Sequence, residues 1–271
     1  MKAVSPYKTS LDSGNAYWMA TLASEVYLSI SEGNKKPDEI GILRNLKAKD
    51  EQFISVFSAD KNSAQAALIE HENYLSFAFR GTDEIADWID NINAFSTQAL
   101  FGSFHRGFWN ALMDVWAVLY DRCNMLQQQK KRPVFFTGHS LGGAMATIAA
   151  AHFIQQDKPF SSVYTFGQPR ALTRETAQLF NMECQSRFFR FHNNNDLVTR
   201  VPARLMGYSH VGSYLYISEE KAIHREPGFW FRFIDYVDGA VSAASEEGID
   251  GIEDHGMEHY LHAVKQWDLA A

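Results

Sequence analysis

The spacing of hydrophobic positions changes along this chain, and the change divides it into stretches of different structure. Near the start, Tyr17 to Ile30 is rich in apolar residues but interrupted by Ser24 and Glu25, which predicts an amphipathic helix. Three β-rich runs follow: Phe53 to Phe57, Ala66 to Glu70 and Leu75 to Phe79. The polar segments SADKNS and HEN separate them, a pattern that predicts an antiparallel meander. From Gly107 to Gln129 the residues Phe108, Leu112, Val115, Trp116 and Leu119 recur at intervals of three and four, the signature of one helix face.

Past residue 130 strands and helices alternate. Strand VFFT (134–137) leads to a helix from Leu141 to Gln155, strand SVYTFG (162–167) to a helix from Arg174 to Asn181, and then comes strand RFFRF (187–191). Such alternation predicts parallel βαβ units whose strand C-termini present loops for chemistry. A further strand (Tyr214–Ile217), a helix around Trp230 to Ala243, an acidic loop (Ser245–Asp254) and a closing helix from Gly256 to Trp267 complete the reading. No repeat or linker divides the chain, so its 271 residues are expected to form one domain, 1–271.

Composition narrows the partners. A net charge of −7, with no basic run longer than KKR (130–132), argues against nucleic acid or an anionic membrane as a partner. No stretch reaches the ~20 apolar residues of a membrane span. The polar start, MKAVSPYKTSLDSGN, lacks the apolar block of a signal peptide, and the two cysteines, Cys123 and Cys184, read as buried free thiols. The expectation is therefore a cytoplasmic protein, with a leaderless or otherwise secreted form as the alternative.

Candidate chemistry centres on RPVFFTGHSLGGAMATIAAAHF (132–153), where Ser140 stands between a strand and a helix. A nucleophile elbow needs that context, and it needs small neighbours because the serine's backbone is strained; Gly138, Gly142 and Gly143 supply them. A serine attacks an ester only with a base beside it and an acid fixing that base, expected downstream in the order Ser, Asp, His. Asp196, past the end of strand RFFRF in an asparagine-rich turn, is the preferred acid over Asp235, Asp238 and Asp250. His255, in a loop at the start of the last helix, is preferred as base over His259 and His262, which lie on that helix. His210 and His105 read as structural.

An acyl-transfer site also needs N–H donors for the oxyanion. Leu141, directly after the serine, offers one, and Thr82, at the end of strand SFAFRGT, is the candidate for the second. The following segment, DEIADWIDNINAF, puts Ile85, Trp88, Ile89, Ile92 and Phe95 on one face, which predicts an amphipathic lid helix over about 83–95. Leu100, Phe101 and Phe104, with GFWFRF (228–233), are candidates for an exposed acyl groove or its rim.

Five segments, FRGT, HRGF (105–108), GHSLGG, FGQPR (166–170) and NNDLVTRVP (194–202) followed by YSHVG, together resemble the class 3 lipase family of filamentous fungi and their bacterial and plant relatives. The resemblance runs from about Leu75 to Gly212 and resumes at DHGMEHY. It implies an α/β-hydrolase fold: a mostly parallel central sheet flanked by helices, with antiparallel N-terminal strands and a helical lid. It also implies a triad of Ser140, Asp196 and His255, oxyanion donors at Thr82 and Leu141, and no metal or organic cofactor. The family's Asp-His step before a tyrosine favours Asp254-His255. The disulfide-rich pattern of the secreted fungal members is missing, in keeping with the cytoplasmic expectation.

The function expected is a serine carboxylic-ester hydrolase, a triacylglycerol lipase working transiently at a lipid–water interface. A phospholipase A1, a mono- or diacylglycerol lipase and a feruloyl-type esterase share the same triad. A non-catalytic lipid-binding protein would have a broken triad. The oligomeric state is not encoded in any of these motifs.

Overall fold

Apolar runs without alternation mark the middle of the sheet in the computed structural model, which describes residues 2–62, 64–82, 93, 95–225 and 253–268. The chain begins with α1 (Ser13–Glu25), the hairpin β1 (Ser29–Ser31) and β2 (Asn34–Pro37), and α2 (Glu39–Lys47). The meander follows as β3 (Phe53–Lys61), β4 (Ala64–His71) and β5 (Leu75–Phe79). Next come β6 (Ser96–Ala99), β7 (Gly102–His105), α3 (Arg106–Gln129), β8 (Val134–His139), α4 (Leu141–Gln155) and β9 (Ser162–Phe166). The remainder is β10 (Leu172–Thr173), α5 (Arg174–Cys184), β11 (Phe188–Asn193), β12 (Tyr208–Ser209), β13 (Ser213–Ile217), β14 (Ile223–Arg225) and α6 (Met257–Gln266).

Among the described residues the central sheet has eight strands in the order β14-β13-β11-β9-β8-β5-β4-β3. Its middle, β5-β8-β9-β11-β13, is parallel. The strands β3, β4 and β5 are antiparallel, as the meander pattern predicts, and β14 closes the other edge antiparallel. A separate antiparallel sheet, β12-β10-β7-β6, has strands of two to four residues, too short to leave a periodic signal in the sequence.

Strands β4, β5, β8, β9 and β11 are buried along their whole length because helices cover both faces. On one side Phe77, Phe79, Phe136 and Val163 pack with residues of α3 and α4; on the other, Ala78, Phe135, Tyr164 and Phe189 pack with α1 and α6. Each fully buried phenylalanine contributes roughly 1.5–3 kcal/mol relative to exposure. Alternate side chains of one strand thus serve opposite cores, and the sheet is fixed rigidly between them.

Several expectations are revised. The first helix spans Ser13–Glu25 and is buried on nearly every side, because α6 returns from the far end of the chain to cover the face the sequence assigns to solvent. Its polar residues are satisfied internally: Asn15 exchanges hydrogen bonds with the Ser5 backbone, and Thr21 bonds the Tyr17 carbonyl. Phe104 is fully buried core and therefore no exposed groove residue, while Leu100 and Phe101 pack against that core and stay half-buried. Phe95 lies outside any helix, directly before β6. The other lid positions, Ile85, Trp88, Ile89 and Ile92, fall outside the described residues, as do GFWFRF, the 230–243 helix and Asp235, Asp238 and Asp250. No described helix is long and apolar enough to cross a membrane. Both cysteines are buried and unbridged, and burial pushes the Cys123 thiol up to about 12.

Candidate active site

Strand β8 delivers Ser140 to the C-terminal edge of the sheet, and α4 starts one residue later. The turn between them is sharp: Ser140 has φ 58° and ψ −130°, a left-handed conformation that costs on the order of 1–3 kcal/mol and persists only where surroundings enforce it. They do so here. The Ser140 N–H donates to the Phe166 carbonyl at 2.9 Å, and a side chain on Gly138 would come within 2.3 Å of the Gly142 carbonyl. Gly142 in turn lies against the end of β5, where an added Cβ would meet the Phe79 carbonyl at 2.0 Å. The glycines around the serine are therefore steric requirements of the elbow.

Asp196 and His255 reach the same place from two loops. His255 Nδ1 lies 2.8 Å from Asp196 Oδ2, and both side chains are fully buried. The other carboxylate oxygen of Asp196 accepts from the Val198 N–H at 2.9 Å, and the Tyr260 hydroxyl also donates to Oδ2. Burial alone would raise this carboxyl, but His255, through its charge and hydrogen bond, with help from His192 and Tyr260, holds it below the usual carboxylate range. Burial and the neighbouring carboxylate push the Tyr260 hydroxyl the other way, well above the usual tyrosine value, so it remains a donor.

Gly167, with φ 59°, lines this pair: a Cβ there would lie 2.7 Å from His255 Cε1 and 2.8 Å from Asp196 Oδ2. Because Ser140 bonds the carbonyl of Phe166, the residue before Gly167, the serine and the Asp–His pair share one corner of the fold. Among the described residues, Ser140 Oγ and His255 Nε2 are both buried without a hydrogen-bond partner. Buried polar atoms are rarely left this way without a reason.

The loops of the acid and the base are tied together. Asp254, next to His255, accepts from Asn194 Nδ2 at 2.9 Å and from the Asn195 N–H at 3.1 Å, while its carbonyl accepts from Asn193 Nδ2 at 2.7 Å. The asparagine run that reads as a plain turn in the sequence is thus a clamp on the histidine loop. Thr82 follows Gly81, which is packed so closely on the elbow that an added Cβ would meet Ser140 Cβ at 2.8 Å. Leu141 opens α4, where the first backbone N–H groups have no acceptor within the helix.

The rival histidines lie elsewhere. His259 is half-buried and His262 exposed on α6. His105 caps α3, with its Nδ1 accepting from the Phe108 N–H, and His210 Nε2 bonds the Thr199 carbonyl at 2.7 Å. Both therefore have the structural role the sequence assigns them. Three groups go unnoticed in the sequence: Tyr260, Tyr27 and His139. Tyr260 sits in HGMEHY, one turn into a helix that starts right after the His255 loop, and that placement is the signal that could reveal it. Tyr27 carries no such local signal.

The class 3 lipase family model, Lipase (class 3), matches residues 76–206. A secreted mono- and diacylglycerol lipase of Malassezia restricta is 30% identical over 151 residues, covering 55% of this chain and 48% of the relative. A lipase of Rhizomucor miehei is 30% identical over 58% of this chain and 45% of its own length. For the secreted mono- and diacylglycerol lipase A of Penicillium camembertii the figures are 27% identity, 58% and 52%. The chain spans about half the length of these relatives.

Among solved structures, a triacylglycerol lipase whose catalytic centre is a serine-protease triad superposes with a TM-score of 0.65 at 24% identity, over 78% of this chain and 82% of that one. The Penicillium cyclopium mono- and diacylglycerol lipase gives 0.66 at 21% identity, over 78% and 84%. These likenesses establish the α/β-hydrolase fold.

The cytoplasmic expectation is overturned by the Malassezia and Penicillium relatives, which are named as secreted enzymes. It rested on a polar N-terminal stretch and unpaired thiols, and neither property specifies a compartment. Through residues 76–206, on an α/β-hydrolase fold, this chain is similar to the class 3 lipase family.

Proposed function

We propose that the protein is a serine carboxylic-ester hydrolase, a triacylglycerol lipase built as one α/β-hydrolase domain, with Ser140, Asp196 and His255 as its triad. The observation that carries the reading is the pair of buried, partnerless atoms, Ser140 Oγ and His255 Nε2, beside the Asp196–His255 hydrogen bond. Asp196 accepts the Nδ1 proton of His255, which leaves Nε2 with the free lone pair of a general base.

Ser140 attacks the ester carbonyl as Nε2 takes its proton. The backbone N–H groups of Thr82 and Leu141 hold the oxygen on which charge develops. His255 then returns the proton to the departing glycerol oxygen. Water repeats the sequence on the acyl-enzyme and releases the fatty acid. The segment 83–95, with Ile85, Trp88, Ile89 and Ile92 on one face, acts as the lid over this site, a reading that rests on sequence alone.

Partial glycerides are the second reading, favoured because the Malassezia and Penicillium relatives are named mono- and diacylglycerol lipases. Initial rates on p-nitrophenyl esters from short to long chain, below and above their solubility, and on mono-, di- and triolein emulsions, separate the cases. A rate jump at the interface with triolein turnover is expected. Turnover of mono- and diolein alone favours the second reading, and smooth saturation on short soluble esters alone rejects both.

A further inference from the structure

A chain of hydrogen bonds outside the triad joins the two sides of the site. The Gly81 N–H lies 3.0 Å from the Tyr27 hydroxyl, that hydroxyl lies 2.7 Å from His139 Nδ1, and His139 Nε2 lies 2.7 Å from the His255 carbonyl oxygen. Chemistry allows one assignment of the protons. A carbonyl only accepts, so His139 Nε2 carries hydrogen. The neutral ring then has Nδ1 as an acceptor, the Tyr27 O–H donates to it, and the same oxygen accepts from Gly81. Burial pushes the His139 imidazole down to about 3, so the neutral ring persists at any working pH.

The ends of this chain are the parts of the site whose position matters most. At one end is the loop that carries Thr82, anchored one peptide upstream at Gly81 and seated against Ser140. At the other is the backbone of His255, whose ring is fixed separately by Asp196 through Nδ1. The middle member, His139, immediately precedes the nucleophile, and its ring packs on that of His255 with centroids 4.4 Å apart. Tyr27 comes from just past α1, far outside residues 76–206.

We propose that Tyr27 and His139 are positioning residues that lock the Thr82 loop and His255 into one frame around Ser140. The inference rests on the triad reading above. Oxyanion donors act only when held about 2.7–3.1 Å from the charge they meet, and general bases likewise need hydrogen-bond reach. A tie between the two elements fixes both distances against the nucleophile. Tyr27→Phe keeps the ring but deprives Gly81 N–H and His139 Nδ1 of their partner together. His139→Gln retains an amide N–H for the His255 carbonyl and loses the Tyr27 side.

The test is turnover of a soluble short-chain ester by the full chain, with kcat expressed per site titrated by a fluorophosphonate, so that misfolded protein is not counted. For Tyr27→Phe, kcat per titrated site should fall by about fivefold or more with KM little changed, short of the ~10²–10³ lost with an oxyanion donor outright. The double variant should be little worse than the more impaired single variant, because one chain is broken once. A per-site kcat loss below about fivefold, a loss confined to KM, or losses that multiply in the double variant would overturn the proposal. Ser140→Ala separates the two levels. If it still labels, the triad reading fails; if it is silent while Tyr27→Phe turns over normally per site, only the positioning role fails.

Discussion

The two ends of the parallel strands are built on opposite principles. At the N-terminal end of β8 and β9 lies a cavity of about 570 Å³, bordered by Asn124, Arg132, Phe153, Lys158, Phe160 and Arg187. Its charged side chains are tied to neighbours: Arg132 pairs with Glu70 at 2.9 Å, Lys158 bonds Asn124 Oδ1 at 2.9 Å, and Arg187 bonds the Phe160 carbonyl at 3.0 Å. At the C-terminal end the backbone is strained at Ser140, glycines admit close contacts, and two buried polar atoms have no partner among the described residues. The strained backbone at Ser140 and the glycine-permitted contacts around it set the C-terminal end apart.

The contrast breaks most severely at the triad itself. Ser140→Ala and Asp196→Asn should each cost on the order of 10⁴-fold or more in kcat while the fold survives, measured on a soluble ester beside circular dichroism. Gly167→Ala comes next. Its Cβ would intrude on both His255 and Asp196 from a backbone at φ 59°, so kcat should fall about 10²-fold, as for a displacement near 1 Å. The melting temperature should fall too, since alanine disfavours that conformation.

Acid should act on both ends at once. Burial lowers the imidazoles of His139, to about 3, and of His152, to about 4, and it also lowers His71, His105 and His210. Unfolded, these histidines take up protons near pH 6.5, and the folded protein refuses them, so stability falls as pH drops from about 6.5 toward 4. The Asp196 carboxylate, held below the usual range, keeps its contribution through that window and loses it only at lower pH. Melts between pH 7.5 and 4.5 should therefore show a steady decline; a flat profile would contradict the neutral, buried state of these rings. The smallest effect is expected at the cavity end. Arg187→Ala removes a carbonyl bond and a guanidinium stacked 5.4 Å from the Phe160 ring. It should lower stability by about 1 kcal/mol in a denaturant titration and leave kcat within about twofold.

Legibility in the sequence follows the range of the interactions involved. Strand Leu75–Phe79 and helix Leu141–Gln155 are read with their observed bounds, because burial on both faces or close packing on the sheet imposes an apolar pattern on consecutive residues. Asp196 and His255 are legible through order and loop position, and the structure brings them to 2.8 Å. Strand β3 extends to Lys61, past the Phe57 end expected, since Asp60 and Lys61 are exposed there and read as turn residues; the chain reverses at Asn62, with φ 53°. Tyr27 is invisible to sequence reasoning for a different reason. Its partners, Gly81 and His139, lie more than fifty residues away, and no local pattern encodes such a contact.

The central claim, that Ser140 is the nucleophile, is tested most directly by covalent labelling of the full chain with a fluorophosphonate, followed by peptide mapping. The account predicts one modification per chain, on Ser140 within GHSLGG, with loss of esterase activity in proportion, and no modification of a folded Ser140→Ala variant. Labelling that maps to another residue, or that persists undiminished in Ser140→Ala, would contradict it.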